Sequence, residues 1–125
     1  MNTFLYDRLL GLASEGGLTT YGDEANLLEL DLEDEQERNR MTEFLLEIAE
    51  HEQNAGRPML TALVVHAGGD NTPGEGFFSL ANDYGRFDGT RIGIRRLRCW
   101  VDEVKKVHSH WSSNRVDRPG KGNLT

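Results

Sequence analysis

The 125-residue chain contains a single cysteine, Cys99, and only 8% of its residues are aromatic. One cysteine excludes an internal disulfide framework and a cysteine-rich zinc site. No apolar run approaches the roughly 18 residues of a membrane span, and residues 1–12 lack the basic start and cleavage site of a signal peptide. We therefore expect a cytoplasmic protein that makes no membrane contact. Its length predicts one globular domain over residues 1–111, followed by a flexible polar tail over residues 112–125.

Charge is distributed unevenly along the chain, although the net charge is only −7. Residues 1–85 carry 4 Lys and Arg against 17 Asp and Glu, whereas residues 86–125 carry 10 against 4. Two interpretations stay open. Either the basic segment packs near the acidic half and balances it, or it faces an anionic partner.

Apolar residues recur at helical spacing in most of the chain. Thr3 is expected to cap a first helix that ends at Gly16 and Gly17, and Thr20 with Asp23 resembles a capping box for a short second helix. A long helix is predicted from about residue 34 to 54, with acidic residues on its solvent side. The acidic residues assigned to that side are Glu43, Glu47, Glu50 and Glu52. Further helices are predicted over residues 78–84 and 91–111.

The last of these helices has the clearest pattern. Its apolar stripe is interpreted mainly as core, although it could also face a partner; it consists of Ile94, Leu97, Val101 and Val104.

Residues 60–66 form the one persuasive strand, because they are continuous, apolar and partly β-branched. A lone strand needs a neighbour for its backbone groups. We expect residues 74–78 to return beside it as a hairpin, with pairing to residues 60–66 of a second copy, in a homodimer, as the alternative. The predicted fold is therefore α+β and mostly helical, with about five helices and one small β-hairpin. A winged-helix-like arrangement also fits this order of elements.

The sequence shows no convincing catalytic constellation. His108 and His110 would point apart on a helix, and Cys99 has no histidine one turn away to act as its base. Asp102 and Glu103 are interpreted as surface charge on a helix. No glycine-rich segment matches a phosphate-binding fingerprint. We therefore expect no metal site, no catalytic residues and no cofactor.

The loop before the fourth predicted helix is the most distinctive segment. Gly74 and Gly76 on either side of Glu75 indicate an unusual backbone or a close approach. One interpretation is a tight hairpin that Phe77 and Phe78 anchor to the core. The other is a ligand- or partner-binding loop formed by Asp70, Asn71, Glu75 and Phe77.

Two resemblances add to this picture. The first covers roughly residues 18–111 and rests on Thr20-Tyr21-Gly22-Asp23-x-Ala25, Gly56-Arg57-Pro58-Met59-Leu60, Pro73-Gly74-x-Gly76-Phe77-Phe78-x-Leu80-Ala81 and Trp100-x-x-Glu103-x-x-x-Val107-x-x-x-Trp111. In these segments the chain resembles a family of small bacterial proteins. That resemblance implies a bacterial origin and a single intact domain, and it adds no mechanism.

The second resemblance is local. Gly17-x-Thr19-Thr20-Tyr21-Gly22-x-x-Ala25 resembles the helix opening of the alkylguanine-DNA alkyltransferases and the alkyltransferase-like proteins, which are winged-helix proteins that flip a base out of DNA. It implies that Tyr21 would press on the DNA backbone. Met59 stands where those enzymes have their acceptor cysteine, so this alignment excludes alkyl transfer.

Three classes of function follow. The favoured one is a non-enzymatic interaction or regulatory module that binds a protein partner. The second is nucleic-acid binding by a winged-helix-like protein, with contacts from Tyr21, Arg91, Arg95, Arg96, Arg98 and Lys105. The third is an enzyme whose site the sequence does not reveal.

Overall fold

In the computed structural model, the described part of the chain is residues 1–67 and 72–116, with side chains described as far as residue 112. Within it the elements are α1 (Thr3–Glu15), β1 (Thr19–Thr20), α2 (Tyr21–Leu27), α3 (Glu35–Asn54), a 3-10 helix (Leu60–Leu63), β2 (Val64–Val65), α4 (Glu75–Asp83) and α5 (Gly93–Val116). The prediction of a mostly helical α+β protein with five α-helices is confirmed.

The helix boundaries follow from capping side chains. Asn2 rather than Thr3 caps α1, because its side chain accepts a hydrogen bond from the Leu5 amide. Gly16, with φ of 75°, ends that helix in the left-handed conformation that glycine adopts without a steric cost. The predicted cap at Thr20 is confirmed, since its hydroxyl accepts from the Asp23 amide. Asp34 caps α3 in the same way through the Gln36 and Glu37 amides.

The predicted hairpin is wrong. The described residues form a sheet of two short parallel strands, in which Thr19 lies opposite Val64 and Thr20 opposite Val65. Residues 60–63 are a 3-10 helix, and α4 begins at Glu75, where the returning strand was expected. Glycine at 74 and 76 marks a helix start rather than a strand turn, because Gly74 is the N-cap residue of α4.

Pairing with residues 60–66 of a second copy, the alternative expectation, is not needed to give this segment a neighbour, and dimerisation stays a prediction. The segment already has a neighbour inside the chain at β1, and the side chains of Val64 and Val65 are buried. No hairpin that could serve as a wing is present in the described ranges.

Two connected apolar clusters form the core. The first joins α1, α3 and the 3-10 helix and includes Leu5, Leu9, Met41, Ile48, Leu60, Leu63 and Val107. The second lies around α4 and includes Met59, Val65, Phe77, Phe78, Phe87 and Trp100. Helix α5 packs along α1 and the 3-10 helix and contributes to both clusters, so it joins the two halves of the molecule.

The end of α5 differs from the prediction. The helix continues to Val116, so residues 112–116 of the predicted tail are helical, and the remainder of that tail lies outside the described residues. In the part of the chain that the structure describes, no helix has the length and apolar character of a membrane span.

Candidate interaction surface

Large aliphatic side chains are exposed where α5 begins. Ile92, Ile94 and Leu97 are 52%, 62% and 41% exposed, respectively. We call these three residues, together with Arg91, Arg95 and Arg98, the α5 surface. Isolated exposed aliphatic residues are ordinary, but three within six positions mark a candidate binding surface.

The interpretation of the whole α5 stripe as core is therefore wrong for its first half. Val101 and Val104 pack against the core clusters, whereas Ile94 and Leu97 do not. Each residue advances a helix by about 100°, which places Trp100, Glu103 and Val107 on the face that is actually buried. The apolar stripe lies at the edge of that face, and its N-terminal half extends beyond the core.

Exposed arginines are interleaved with the aliphatic residues along the chain. Arg91, Arg95 and Arg98 are all exposed, and Lys105 is exposed further along the same helix. Arg95 and Arg98 also line an open depression with Asp88, Asp102 and Lys106. The surface therefore combines exposed aliphatic and arginine side chains, both of which are common in protein interfaces.

Arg96 differs from the other arginines because an ion pair holds it in place. Its guanidinium donates to a Glu75 carboxylate oxygen at 2.6 Å and lies 4.2 Å from the centre of the Phe78 ring. The Arg96 side chain is 18% exposed, so it is not available for phosphate contacts in this arrangement. Its contacts instead link the start of α4 to α5.

The opposite face of α5 contains a buried carboxylate. Glu103 is 4% exposed and accepts hydrogen bonds from the Met59 amide at 2.8 Å and from Arg86 at 3.2 Å. The interpretation of Glu103 as surface charge is wrong. Arg86 also donates to Gln53 and to the Arg57 carbonyl oxygen, so one guanidinium connects three segments.

Two more glutamates are buried with arginine partners. Glu52 was assigned to the wet side of α3, but its side chain is fully buried, with two hydrogen bonds from Arg57 and one from the Tyr6 hydroxyl. Glu24 is likewise buried and accepts from Arg8 and Thr19. Burial raises the pKa of the Glu24 carboxyl, but the hydrogen bonds from Arg8 and Thr19 and the charge of Arg8 lower it by more, so the net shift is downward from the ordinary value of a glutamate.

A signal for two of these glutamates is present in the sequence. Glu52 follows Ile48 by four positions, and Glu103 lies three after Trp100 and four before Val107. Both are therefore in step with apolar residues of their helices. Arg57 lies five residues after its partner Glu52, and Arg86 lies seventeen residues before its partner Glu103. Each glutamate joins a helix to a neighbouring segment.

The residues assigned to the binding loop do not form one exposed site. Asp70 and Asn71 lie outside the described residues. Phe77 is 6% exposed and packs in the second core cluster, whereas Glu75 is exposed and paired with Arg96. Phe77 and Phe78 are both anchored in the core, but they belong to the first turn of α4 rather than to the expected hairpin.

Tyr21 and His66 stack on each other, with ring centres 4.3 Å apart and planes 12° apart. A Cβ at position 74 would lie 2.5 Å from His66 Nε2, so a larger residue there would force the imidazole to move. Burial raises the pKa of the Tyr21 hydroxyl. These contacts fix the turn before α4, and Glu75 is engaged by Arg96 rather than by His66.

The described residues offer little to nucleophilic or metal chemistry. Burial raises the pKa of the Cys99 thiol, and the nearby charges of Glu103, Asp102 and Asp88 raise it further. A thiol with a raised pKa is a weak nucleophile at neutral pH. Within residues 1–67 and 72–116, no group of three His, Cys, Asp or Glu side chains is placed to hold a metal ion. His108 instead bonds the Gly17 carbonyl oxygen at 2.9 Å.

The chain matches no protein-family model, no curated protein and no solved structure.

Proposed function

We propose that this protein is a non-enzymatic interaction module that binds an acidic protein partner through the α5 surface. The observation that carries the proposal is the exposure of Ile92, Ile94 and Leu97 between Arg91, Arg95 and Arg98. The aliphatic side chains supply area whose burial is favourable, and the arginines select acidic partners by charge.

The chemistry of the surface favours a protein over a nucleic acid. Burying aliphatic side chains against another apolar surface is favourable, and a phosphate backbone does not present such a surface. The rest of the chain is acidic and would oppose a polyanion over much of its surface. A folded partner with an apolar patch and neighbouring carboxylates satisfies both parts of the surface.

The test is a quantitative affinity capture from cells of the native host. Wild type is compared with Leu97→Asp, which places a carboxylate in the α5 surface, and with Leu27→Asp as the control. Leu27 is 49% exposed on α2, so the control makes the same chemical change at a similarly exposed leucine. A partner of this surface is retained by wild type and Leu27→Asp and depleted at least tenfold with Leu97→Asp.

Charge provides a second criterion for the same partner. Arg95→Glu with Arg98→Glu should weaken capture, and the captured protein should carry an acidic surface. Equal recovery with Leu97→Asp and Leu27→Asp would contradict the proposed surface. Each of the three variants must first show the unfolding transition of wild type, so that lost binding is not confused with lost folding.

Nucleic-acid binding is the second candidate, because Arg95, Arg98 and Lys105 are exposed along α5 and Arg91 is exposed just before it. Its test is a titration of labelled duplex DNA, single-stranded DNA and RNA at about 50 mM and 200 mM salt, a range over which phosphate contacts weaken steeply. Salt-sensitive submicromolar binding that Arg95→Glu with Arg98→Glu abolishes would favour this candidate. Absence of binding at the lower salt concentration would eliminate it.

A further inference from the structure

An open groove of about 250 Å³ lies apart from the α5 surface. Residues of α2, α3, the 3-10 helix and α4 line it. Leu45 and Phe77 are its buried lining, whereas Thr42, Leu46, Ser79 and Asp83 are exposed. The stacked ring of Tyr21 also lines the groove, held in position by His66.

The dimensions and apolar lining suit a compact organic molecule. A cavity of about 150 Å³ is large enough for benzene. The groove is smaller than the roughly 300–1,000 Å³ of sites for drug-sized ligands, so a single ring with a short side chain matches it best. Aromatic rings from Tyr21 and Phe77, together with leucine side chains, offer such a body favourable contacts.

The charged lining is of one sign. Among the described residues of the groove, Asp83 is ionisable and acidic, and none is lysine or arginine. Asp83 is the last residue of α4, where the helix dipole adds partial negative charge. The neighbouring Tyr84 hydroxyl also has a raised pKa. Burial is the largest cause, and the negative charges of Glu50 and Asp83 add to it.

We propose that this groove binds a small organic cation, with an ammonium group beside Asp83 and a compact apolar or aromatic body against Leu45 and Phe77. The lining also contains the hydroxyls of Tyr21, Thr42, Thr61 and Ser79, which can accept hydrogen bonds from the ammonium. This site is independent of partner binding through α5.

Three probes of similar size and different charge test the proposal: phenethylamine, 2-phenylethanol and phenylacetate. Each is titrated into the ¹⁵N-labelled full chain at pH 7 and low salt, and backbone amide shifts are followed. Phenethylamine should shift the amides of Leu46, Gly76, Phe77 and Leu80. It should bind about fivefold more tightly than the neutral alcohol, the upper range for an exposed ion pair, and the acid should bind most weakly.

Two variants assign that preference to one carboxylate. Asp83→Asn should bring the affinities for amine and alcohol within twofold of each other, whereas Asp102→Asn, an exposed aspartate on α5, should keep the wild-type order. Equal affinity of wild type for all three probes would overturn the proposal. So would shifts confined to residues outside the groove, or the absence of saturable binding.

Discussion

Helix α5 has a charged residue on its buried face and aliphatic residues on its exposed N-terminal part. Its buried face includes a glutamate, Glu103, beside Trp100 and Val107, whereas its exposed N-terminal part presents Ile94 and Leu97. In a helix that only covered a core, a glutamate would be exposed and aliphatic residues such as Ile94 and Leu97 would be buried. The comparison shows that the buried glutamate joins segments of the fold, whereas the aliphatic residues at the N-terminal end of α5 lie on the protein surface.

The buried side of this comparison is a set of specific contacts. Trp100 donates from its indole nitrogen to the Ala62 carbonyl oxygen at 2.8 Å, and Glu103 accepts from the Met59 amide. Both bonds hold the segment that leads from α3 into β2. The exposed side has no comparable tertiary role, since Ile94 and Leu97 belong to neither core cluster.

The largest effect is expected at Trp100. Trp100→Ala removes a buried aromatic side chain and leaves the Ala62 carbonyl oxygen without its indole donor. The free energy of unfolding should fall by about 3–5 kcal/mol. Urea unfolding followed by far-ultraviolet circular dichroism measures this change. A loss below about 1 kcal/mol would show that this face of α5 contributes little to the stability of the fold.

Glu103→Gln should rank second, with a loss of about 3 kcal/mol, because Arg86 would remain partly buried without its carboxylate. Asp102→Asn is the matched control one position earlier. Asp102 is exposed, so its replacement should change the free energy of unfolding by no more than about 0.5 kcal/mol. Similar losses for the two variants in urea unfolding would contradict the structural role of Glu103.

Glu24 tests whether the buried glutamates stabilise the protein as charged groups. Its pKa is lowered in the folded state, so its contribution is present above the unfolded value near 4.5 and is lost as pH falls through the folded value. Glu24→Gln should therefore cost about 1–3 kcal/mol at pH 7. Urea unfolding between pH 7 and pH 3 should show the difference from wild type shrinking below pH 4.5. A difference that stays constant would argue against an ionised Glu24.

The smallest effect on stability is expected on the exposed face. Leu97→Ser removes a side chain that is 41% exposed and belongs to neither core cluster, so the free energy of unfolding should change by less than about 0.5 kcal/mol. Thermal unfolding together with urea unfolding checks this. A loss above about 2 kcal/mol would mean that Leu97 is part of the core in solution.

The sequence predicts helices better than their contacts. Local signals, such as the caps at Thr20 and Asp34 and the terminator at Gly16, place helix boundaries because they act within a few residues. The pairing of β1 with β2 was missed because strands of two residues have no detectable periodicity and their partner is more than forty positions away.

The candidate surface was only partly predictable. Arg91, Arg95, Arg98 and Lys105 were named from the sequence and are exposed, but pairing with Glu75 restricts Arg96. Ile94 and Leu97 are exposed because the start of α5 extends beyond its neighbours. The periodicity of apolar residues along one helix does not show how far that helix extends. Helix boundaries can therefore be predicted from neighbouring residues, whereas the exposure of side chains on α5 depends on tertiary packing.

Photo-crosslinking at Leu97 tests most directly whether the α5 surface binds a protein partner. A photoreactive phenylalanine derivative is placed at Leu97, and in parallel at Leu27, in the full chain expressed in its native host. The interaction account predicts a discrete covalent adduct with an acidic protein from position 97 and none of that mass from position 27. The same adducts from both positions, or no adduct from position 97, would contradict it.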